Sequence, residues 1–123
     1  MRKLIFIAFM VMSVCGYAQK YEVGTTTAVW KAPAAADFLH AKAIGVKYVE
    51  VAFNQCYRGV PVDEVIPRIK EMKAKIDSAD IEVWSIHLPF SRTLDISVLD
   101  DRLRKENVDF MAEMIELCAM FQP

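Results

Sequence analysis

The sequence has 123 residues, of which 54% are hydrophobic and 25% are charged, with only 4 glycines and 5 prolines. This composition is typical of a folded globular domain, and it excludes a disordered or low-complexity chain. Fifteen basic and 16 acidic residues give a formal net charge of −1, so the strong positive charge of a nucleic-acid-binding protein is missing, and we expect no nucleic-acid partner.

Residues 1–18 have the layout of a secretory signal peptide. Two basic residues follow the initiating methionine, an uncharged apolar stretch covers residues 4–14, and small residues follow at Gly16 and Ala18. This apolar stretch is shorter than the roughly 20 residues that a membrane-spanning helix needs. We therefore predict an exported, periplasmic or extracellular protein that is cleaved near Ala18 and has no stable membrane span.

The three cysteines are Cys15, Cys56 and Cys118. Cys15 leaves a lipoprotein anchor open as an alternative, although the bulky Val14 before it disfavours that processing site. No Cys-x-x-Cys spacing of a metal site is present. An oxidising compartment would allow Cys56 and Cys118 to pair. Cys118 falls on the apolar stripe of a predicted helix, however, where a thiol packs as a small hydrophobic group, so we expect both to stay free.

The first predicted elements are a strand, a helix and a second strand. Residues 21–30 are rich in β-branched and aromatic side chains and predict the first strand. Pro33 is expected to open a helix that runs to Ile44, with Gly45 as its carboxyl cap. Residues 46–53 predict the second strand, because their apolar side chains alternate.

An amphipathic helix, a third strand and a long helix follow. The segment 62–76 has apolar residues at helical spacing, and Pro67 is expected in the first turn of this helix. Residues 81–90 form an apolar run that predicts a strand buried on both faces. Ser97 and Asp100 resemble a capping pair at the start of the last helix.

The predicted order of elements is thus β-α-β-α-β-α, with a helix between consecutive strands, which makes the sheet parallel. Residues 19–123 therefore predict the first three β/α units of a (β/α)8 TIM barrel. We expect this α/β portion to be truncated, because its 105 residues are about two fifths of the roughly 250 in such a barrel. A small doubly wound domain is the alternative, but no glycine-rich phosphate motif supports it.

Glu50 is the first candidate for a functional site, because the active sites of α/β barrels lie at the carboxyl ends of the strands. It alternates with Val49, Val51 and Phe53, which are expected to pack on the helices, so the carboxylate should face the barrel interior. A charge in that position is costly unless it has a partner or a ligand. The alternative role of Glu50 is structural, as an acceptor that holds a loop or pairs with a basic side chain.

His87 is the second candidate, near the end of the third strand. It has the parity of Val83 and Ser85, whereas Trp84 and Ile86 are expected to face the helices. The imidazole should therefore also point into the barrel interior near its mouth. A structural histidine that is hydrogen-bonded to a neighbouring loop is the alternative, and position alone leaves both roles open.

Four further residues are predicted in loops at the same end of the sheet. Trp30, Arg58 and Phe90 are placed to contact a substrate. Asp95 either faces the mouth of the barrel or organises the start of the last helix. The alternatives are a solvated arginine and a phenylalanine that belongs to the core.

Two segments resemble a known enzyme family. The run GVKYVEV, which contains Glu50, and the run WSIHLPF, followed downstream by LDIS, are similar to the sugar phosphate isomerase/epimerase family of xylose isomerase-like TIM barrels, in the exported form found in Bacteroidetes. The similarity covers most of residues 21–123. Its most specific part is IHLPF with the downstream Asp-Ile-Ser.

The resemblance implies a metal-dependent enzyme with a small-molecule sugar substrate. Members of this family isomerise or epimerise sugars by proton abstraction next to a carbonyl, at a divalent Mn, Mg or Zn ion. Carried over to this sequence, the resemblance implies catalytic positions for Glu50 and His87. His87 would be a group close to the substrate or the metal, with a role as metal ligand left open, and Glu50 would support it from the inner wall. The other metal ligands would lie beyond Pro123, so the 123-residue chain alone is expected to be inactive.

Two other functions stay open. One is a non-catalytic, exported carbohydrate-binding barrel. The other is an endonuclease-type phosphodiesterase on the same fold, which is disfavoured by the export signal and by the charge of the mature chain. Removal of Arg2 and Lys3 with the signal peptide leaves 13 basic against 16 acidic residues, a net charge of −3.

Overall fold

The computed structural model describes residues 21–123. The predicted signal peptide and Cys15 lie outside these residues. Within them, strands alternate with helices in the order β1 (Val23–Thr26), α1 (Ala35–Ala43), β2 (Val46–Ala52), α2 (Asn54–Tyr57), α3 (Val62–Ser78), β3 (Glu82–His87) and α4 (Asp101–Cys118). Short 3-10 turns occupy Thr27–Val29, Arg92–Leu94 and Ala119–Phe121.

The three strands form one parallel sheet in the order β1-β2-β3. Helix α1 connects β1 to β2, and α2 and α3 connect β2 to β3. Parallel neighbours require such crossovers, because a short hairpin cannot return the chain to the same end of the sheet. The predicted α/β fold is therefore confirmed, and its topology is consistent with the first units of a TIM barrel.

The core lies between the sheet and the helices. Val49, Val51 and Phe53 are fully buried, and they belong to the same apolar cluster as Ile69 and Ile76 of α3. Burial of each such side chain contributes about 1.5–3 kcal/mol. The alternation predicted for β2 is confirmed, and it turns Glu50 to the opposite, inner face of the sheet.

Strand β3 contains a bulge that corrects the predicted parity. Val83 pairs with Val49, but the next pair along the two strands joins Ser85 to Glu50, so Trp84 is the extra residue. A bulge places two residues of one strand opposite one residue of its partner and thereby shifts the alternation by one. Val83 is consequently buried on the helix side, and its predicted inward orientation with Ser85 was wrong.

The bulge also changes the environment of Trp84. Its side chain is 70% exposed, and its ring meets the ring of Tyr48 edge to face with centroids 5.3 Å apart. The prediction that Trp84 packs on the helices was therefore wrong. Beyond the bulge the predicted pattern returns, since Ile86 packs against the core and His87 pairs with Ala52 on the inner face.

The first strand is shorter than predicted. β1 ends at Thr26, and Thr27–Val29 forms a 3-10 turn. The hydroxyl of the buried Thr27 accepts a hydrogen bond from the backbone N–H of Ala52 at 2.8 Å. This side chain takes the place of a backbone carbonyl in the ladder, so the chain can leave the sheet without leaving that N–H unpaired.

Two helices begin elsewhere than predicted. Helix α1 starts at Ala35, because the Asp37 carboxylate accepts a hydrogen bond from the N–H of Ala34 at 2.8 Å and caps the first turn there. Helix α3 starts at Val62, so Pro67 is its sixth residue and not part of the first turn. A proline at that depth removes one intrahelical hydrogen bond.

Candidate active site at the carboxyl ends of the strands

Glu50 and His87 lie side by side on the inner face of the sheet. Oε1 of Glu50 is 3.9 Å from Nδ1 of His87, and the hydroxyl of Ser85 donates a hydrogen bond to Oε2 of Glu50 at 3.4 Å. The strand register produces this arrangement, because Glu50 pairs with Ser85 while His87 lies two residues further along β3. The structure thus brings the two predicted catalytic residues together.

The pair is partly open to solvent. The side chain of Glu50 is 40% exposed and that of His87 is 51% exposed. An ion pair with this exposure contributes about 0–1 kcal/mol, and only when the histidine is protonated. The contact is therefore too weak to serve as a structural clamp, and both side chains keep hydrogen-bonding capacity for a ligand.

A cavity of about 750 Å³ opens beside the pair. We call it the mouth cavity, and its polar and aromatic walls include Thr26, Glu50, Asn54, Arg58, His87 and Phe90. These residues come from the ends of all three strands and from the segments that follow them. A volume of this size lies within the range of about 300–1,000 Å³ that small-molecule sites occupy.

Arg58 and Phe90, two of the predicted substrate-binding residues, line the mouth cavity. The Phe90 ring is 80% exposed, with its centroid 5.5 Å from that of the His87 ring. Phe90 is therefore not part of the core. A solvent-exposed aromatic ring beside a histidine offers a flat surface for the carbon–hydrogen face of a ligand. Contact with substrate stays a prediction for both Arg58 and Phe90.

Trp30, another predicted substrate-binding residue, does not line the mouth cavity. Its ring packs edge-on against Phe38 of α1, with centroids 5.2 Å apart, and its backbone carbonyl accepts a hydrogen bond from Nε2 of Gln55 at 2.8 Å. Trp30 thus attaches the loop after β1 to helices α1 and α2.

Asp95 also lies outside the walls of the mouth cavity. Its carboxylate accepts hydrogen bonds from the N–H and the hydroxyl of Ser97, at 2.8 and 2.6 Å, and these bonds lower the pKa of Asp95. Its backbone carbonyl accepts from the buried Asn107 at 2.8 Å. Asp100, whose side chain accepts from the N–H of Leu103, is the N-cap of α4, so the predicted capping role of Ser97 was wrong.

Comparison with known proteins assigns the fold to a family. The family described as xylose isomerase-like TIM barrel matches residues 38–122. This chain belongs to that family. Searches of curated proteins and of solved structures found no match. The predicted membership of the xylose isomerase-like TIM barrel family is confirmed, and the three parallel strands are consistent with the first units of such a barrel.

Family membership gives the position of the mouth cavity its meaning. In characterised TIM-barrel enzymes the active site lies at the carboxyl ends of the strands, where several strands contribute residues. The mouth cavity of this xylose isomerase-like barrel lies at that end, with Glu50 from β2 and His87 from β3 in its wall. The family match supports the interpretation of this cavity as the candidate active site.

Three polar residues of the site were not predicted from the sequence, namely Ser85, Asn54 and Tyr57. Ser85 contacts Glu50, and the other two line the mouth cavity. Asn54 comes two residues after β2 ends, and a polar residue directly after a buried strand could have identified it. Nothing in the sequence identifies Tyr57, which enters the wall because the short helix α2 turns it there.

The described residues contain no complete set of metal ligands. No group of three or more His, Cys, Asp or Glu side chains close enough to bind a metal ion occurs among residues 21–123. Glu50 and His87 supply two donors of suitable chemistry, whereas a catalytic zinc site usually has three protein ligands. These two residues alone do not complete a ligand set.

The helices of residues 21–123 were also compared with the requirements of a membrane span. None of them is long and apolar enough to cross a membrane.

Proposed function

We propose that this chain is the amino-terminal part of an exported sugar isomerase or epimerase that transfers a proton at the carbon next to a carbonyl. The observation that carries the proposal is the Glu50–His87 pair in the wall of the mouth cavity. A carboxylate and an imidazole are the side chains most often used to move protons near neutral pH. The family match supports the choice of a sugar substrate.

Glu50, His87 and the adjacent Phe90 suit different roles toward a sugar substrate. Glu50 can accept a proton, or a hydrogen bond from a substrate hydroxyl, and its Oε2 already accepts a long hydrogen bond from Ser85. His87 can donate a hydrogen bond to a substrate oxygen or accept one, according to which ring nitrogen carries the proton. Phe90 beside His87 would cover the apolar face of a sugar ring.

A divalent ion is part of the proposal for the full-length protein. When bound, Mn²⁺, Mg²⁺ or Zn²⁺ polarises a carbonyl oxygen and so makes the neighbouring proton more acidic. His87, with Glu50 beside it, would supply ligands from this part of the chain, and further carboxylates or histidines would have to come from other strands of the barrel. Within residues 21–123, the proton-handling role rests on Glu50 and His87.

The test is a solvent-exchange assay on the full-length gene product that contains residues 21–123. The protein is incubated in D₂O with Mn²⁺, Mg²⁺ or Zn²⁺ and a panel of aldoses and ketoses, and proton NMR follows the signal at the carbon next to the carbonyl. We expect exchange with at least one sugar, and a decrease of about 10²–10⁴-fold in Glu50→Gln, the range for loss of a general acid or base.

The matched control is Glu82→Gln. Glu82 is an exposed glutamate at the amino end of β3, away from the mouth cavity, and its replacement should leave exchange unchanged. A protein that binds sugars without exchanging any proton would contradict the proposal and indicate a carbohydrate-binding barrel. Cleavage of a phosphodiester without proton exchange would contradict it in favour of an endonuclease.

Export is proposed on the sequence of residues 1–18. The expected result is that amino-terminal sequencing of the protein recovered outside the cytoplasm begins at Gln19, because cleavage follows Ala18. A protein that starts at a lipid-modified Cys15 would instead indicate a lipoprotein, and a protein that keeps Met1 in the cytoplasm would contradict export.

A further inference from the structure

A second, smaller cavity lies on the outer side of the mouth. Its volume is about 340 Å³, and it opens between the loop after β1, helix α2 and the middle of helix α3. We call it the basic cavity, because four cationic side chains and one carboxylate line it: Lys31, Arg58, Arg68, Lys75 and Glu71. Such a concentration of positive charge is unusual in a chain whose formal net charge is −1.

Two of these four cations have no partner within the described residues, since neither Lys31 nor Arg58 makes an ion pair or a side-chain hydrogen bond there. Arg68 has only a distant one, with its guanidinium 3.9 Å from the Glu64 carboxylate. Lys75 is the exception, because its ammonium lies 2.7 Å from the carboxylate of Glu71. The cavity therefore keeps a net positive charge that its own walls do not neutralise.

The wall that carries Lys31 is held from both sides. Nε2 of Gln55 donates to the carbonyl of Trp30 at 2.8 Å, directly before Lys31. The ammonium of Lys75 donates to the carbonyl of Pro33 at 3.2 Å, two residues after it. The backbone of this loop is thus fixed between α2 and α3, and a fixed loop loses less conformational entropy when it binds a ligand.

The basic cavity adjoins the mouth cavity. Asn54 and Arg58 line both, so the two cavities share part of their walls. Cys56, which also lines the basic cavity, is buried and carries no charge near neutral pH, because burial raises the pKa of its thiol to about 11. No acidic group other than Glu71 therefore opposes an anion there.

We infer that the basic cavity binds the anionic group of the substrate, with Lys31 and Arg68 as its own ligands and Arg58 shared with the mouth cavity. This inference rests on the proposed function and narrows it to sugars that carry a phosphate or a carboxylate. Planar guanidinium groups and lysine ammonium groups suit the oxygens of both anions. The position between the first and second β/α units differs from the phosphate site after strands 7 and 8 that many TIM barrels share.

The first experiment measures anion binding by calorimetry at low ionic strength. The full-length protein is titrated with inorganic phosphate, and the double variant Lys31→Gln, Arg68→Gln is titrated in parallel. We expect saturable binding that weakens about tenfold or more in the variant, because two charge-assisted hydrogen bonds are lost. The control is Lys70→Gln, which removes one positive charge from an exposed position of the same helix that does not line the cavity, and it should change the affinity less than about twofold.

Three outcomes overturn the inference. They are an unmodified protein without saturable phosphate binding, a double variant that binds phosphate as tightly as the unmodified protein, and a Lys70→Gln variant that loses as much affinity as the double variant. The first outcome needs no variant, so the inference stays testable even if the substitutions disturb folding. Circular dichroism of each variant checks that the fold is kept.

The source of the anion and the enzymatic role are separated by a second set of titrations. Glucose 6-phosphate, gluconate and glucose present a phosphate, a carboxylate and no charge on similar carbon chains. Tighter binding of one charged compound than of glucose, lost in the double variant, supports the inference and identifies the anion. Proton exchange on neutral sugars only, with no phosphate binding, would overturn this inference and leave the proposed function standing. Phosphate binding without any proton exchange would overturn the proposed function and leave the basic cavity as an anion-binding site.

Discussion

The two faces of the small sheet differ in what they bury. The helix side contains Val49, Val51 and Phe53, all without measurable exposure, whereas the inner side presents Glu50 and His87 with about half of each side chain in solvent. Apolar burial supplies most of the stability of a domain, and partly solvated polar groups supply little. Alternate residues of the same strands therefore differ: those on the helix side form the apolar core, and those on the inner side present polar groups to the mouth cavity.

The largest expected effect is on the free energy of unfolding, when a phenylalanine is replaced by alanine either in the core or beside the mouth cavity. Phe53→Ala should lower the free energy of unfolding by about 3–5 kcal/mol, because it removes a fully buried ring from the core. Phe90→Ala, at a ring that is 80% exposed, should change it by less than about 0.5 kcal/mol. Urea unfolding of the full-length protein measures both. Similar losses in the two variants would show that the division between the faces is not real.

The second effect is on activity, and it uses the chain's two histidines. His87→Asn should lower the rate of proton exchange by about 10²-fold or more, because it removes the imidazole that we propose takes part in proton transfer. His40→Asn changes an exposed histidine on α1 and should leave the rate unchanged. Both variants should unfold at the urea concentration of the unmodified protein. A His87→Asn protein that is fully active but less stable would indicate the structural role instead.

The third effect is a loss of stability at high pH. Burial raises the pKa of the Cys56 and Cys118 thiols from 9.0 to about 11. The folded protein therefore keeps two protons that the unfolded chain releases between pH 9 and 11, so the free energy of unfolding is highest below pH 9 and decreases as the pH rises toward 11. A loss of about 1–3 kcal/mol per thiol is expected.

Two variants sharpen this pH test. Cys56→Ala with Cys118→Ala should flatten the dependence between pH 9 and 11. Tyr48→Phe controls for the phenol, since a hydrogen bond to Glu22 raises the pKa of Tyr48 and adds a loss in the same direction above pH 10. A slope that disappears in Tyr48→Phe and persists without the thiols would contradict the assignment to the cysteines.

The smallest effect concerns the end of β1. Thr27→Val removes the hydroxyl that accepts the hydrogen bond from the Ala52 N–H in the buried interior. A buried N–H without a partner costs about 1–3 kcal/mol, so we expect a stability loss near 1 kcal/mol and faster hydrogen exchange at Ala52. Thr26→Val is the control, because the Thr26 hydroxyl accepts a long, solvent-exposed hydrogen bond from the N–H of Ala28 at 3.3 Å. Equal losses in both variants would contradict the role given to Thr27.

The order of elements was predictable because it depends on local pattern. Apolar residues at helical spacing predicted α3, and strict alternation predicted β2 with Glu50 on the inner face. The bulge at Trp84 was not predictable, because it depends on how β3 pairs with β2 and leaves no mark in the alternation of β3 itself. His87 was placed correctly because it lies beyond the bulge, where the pattern of β3 returns to the predicted side.

Strand-end residues of the site were predictable, whereas only two of the four predicted loop residues, Arg58 and Phe90, line the mouth cavity. Glu50 and His87 were found from strand position alone. Trp30 was expected to contact a substrate, and it packs on Phe38 and bonds to Gln55 instead. Asp95 was expected either to face the mouth or to organise the start of the last helix, and it contacts Ser97 and Asn107. The direction of a loop residue depends on such tertiary contacts, which sequence separation does not indicate.

The extra residue in β3 has a consequence for comparing sequences across the family. A related barrel whose third strand lacks the bulge would have one residue fewer between the positions of Val83 and Ser85, with both flanking positions still on their present faces. An alignment without a gap that starts at the amino end of β3 would then match His87 to the residue one position after its true equivalent in the relative. A gap of one residue at Trp84 keeps Val83 aligned with core positions and His87 aligned with site positions.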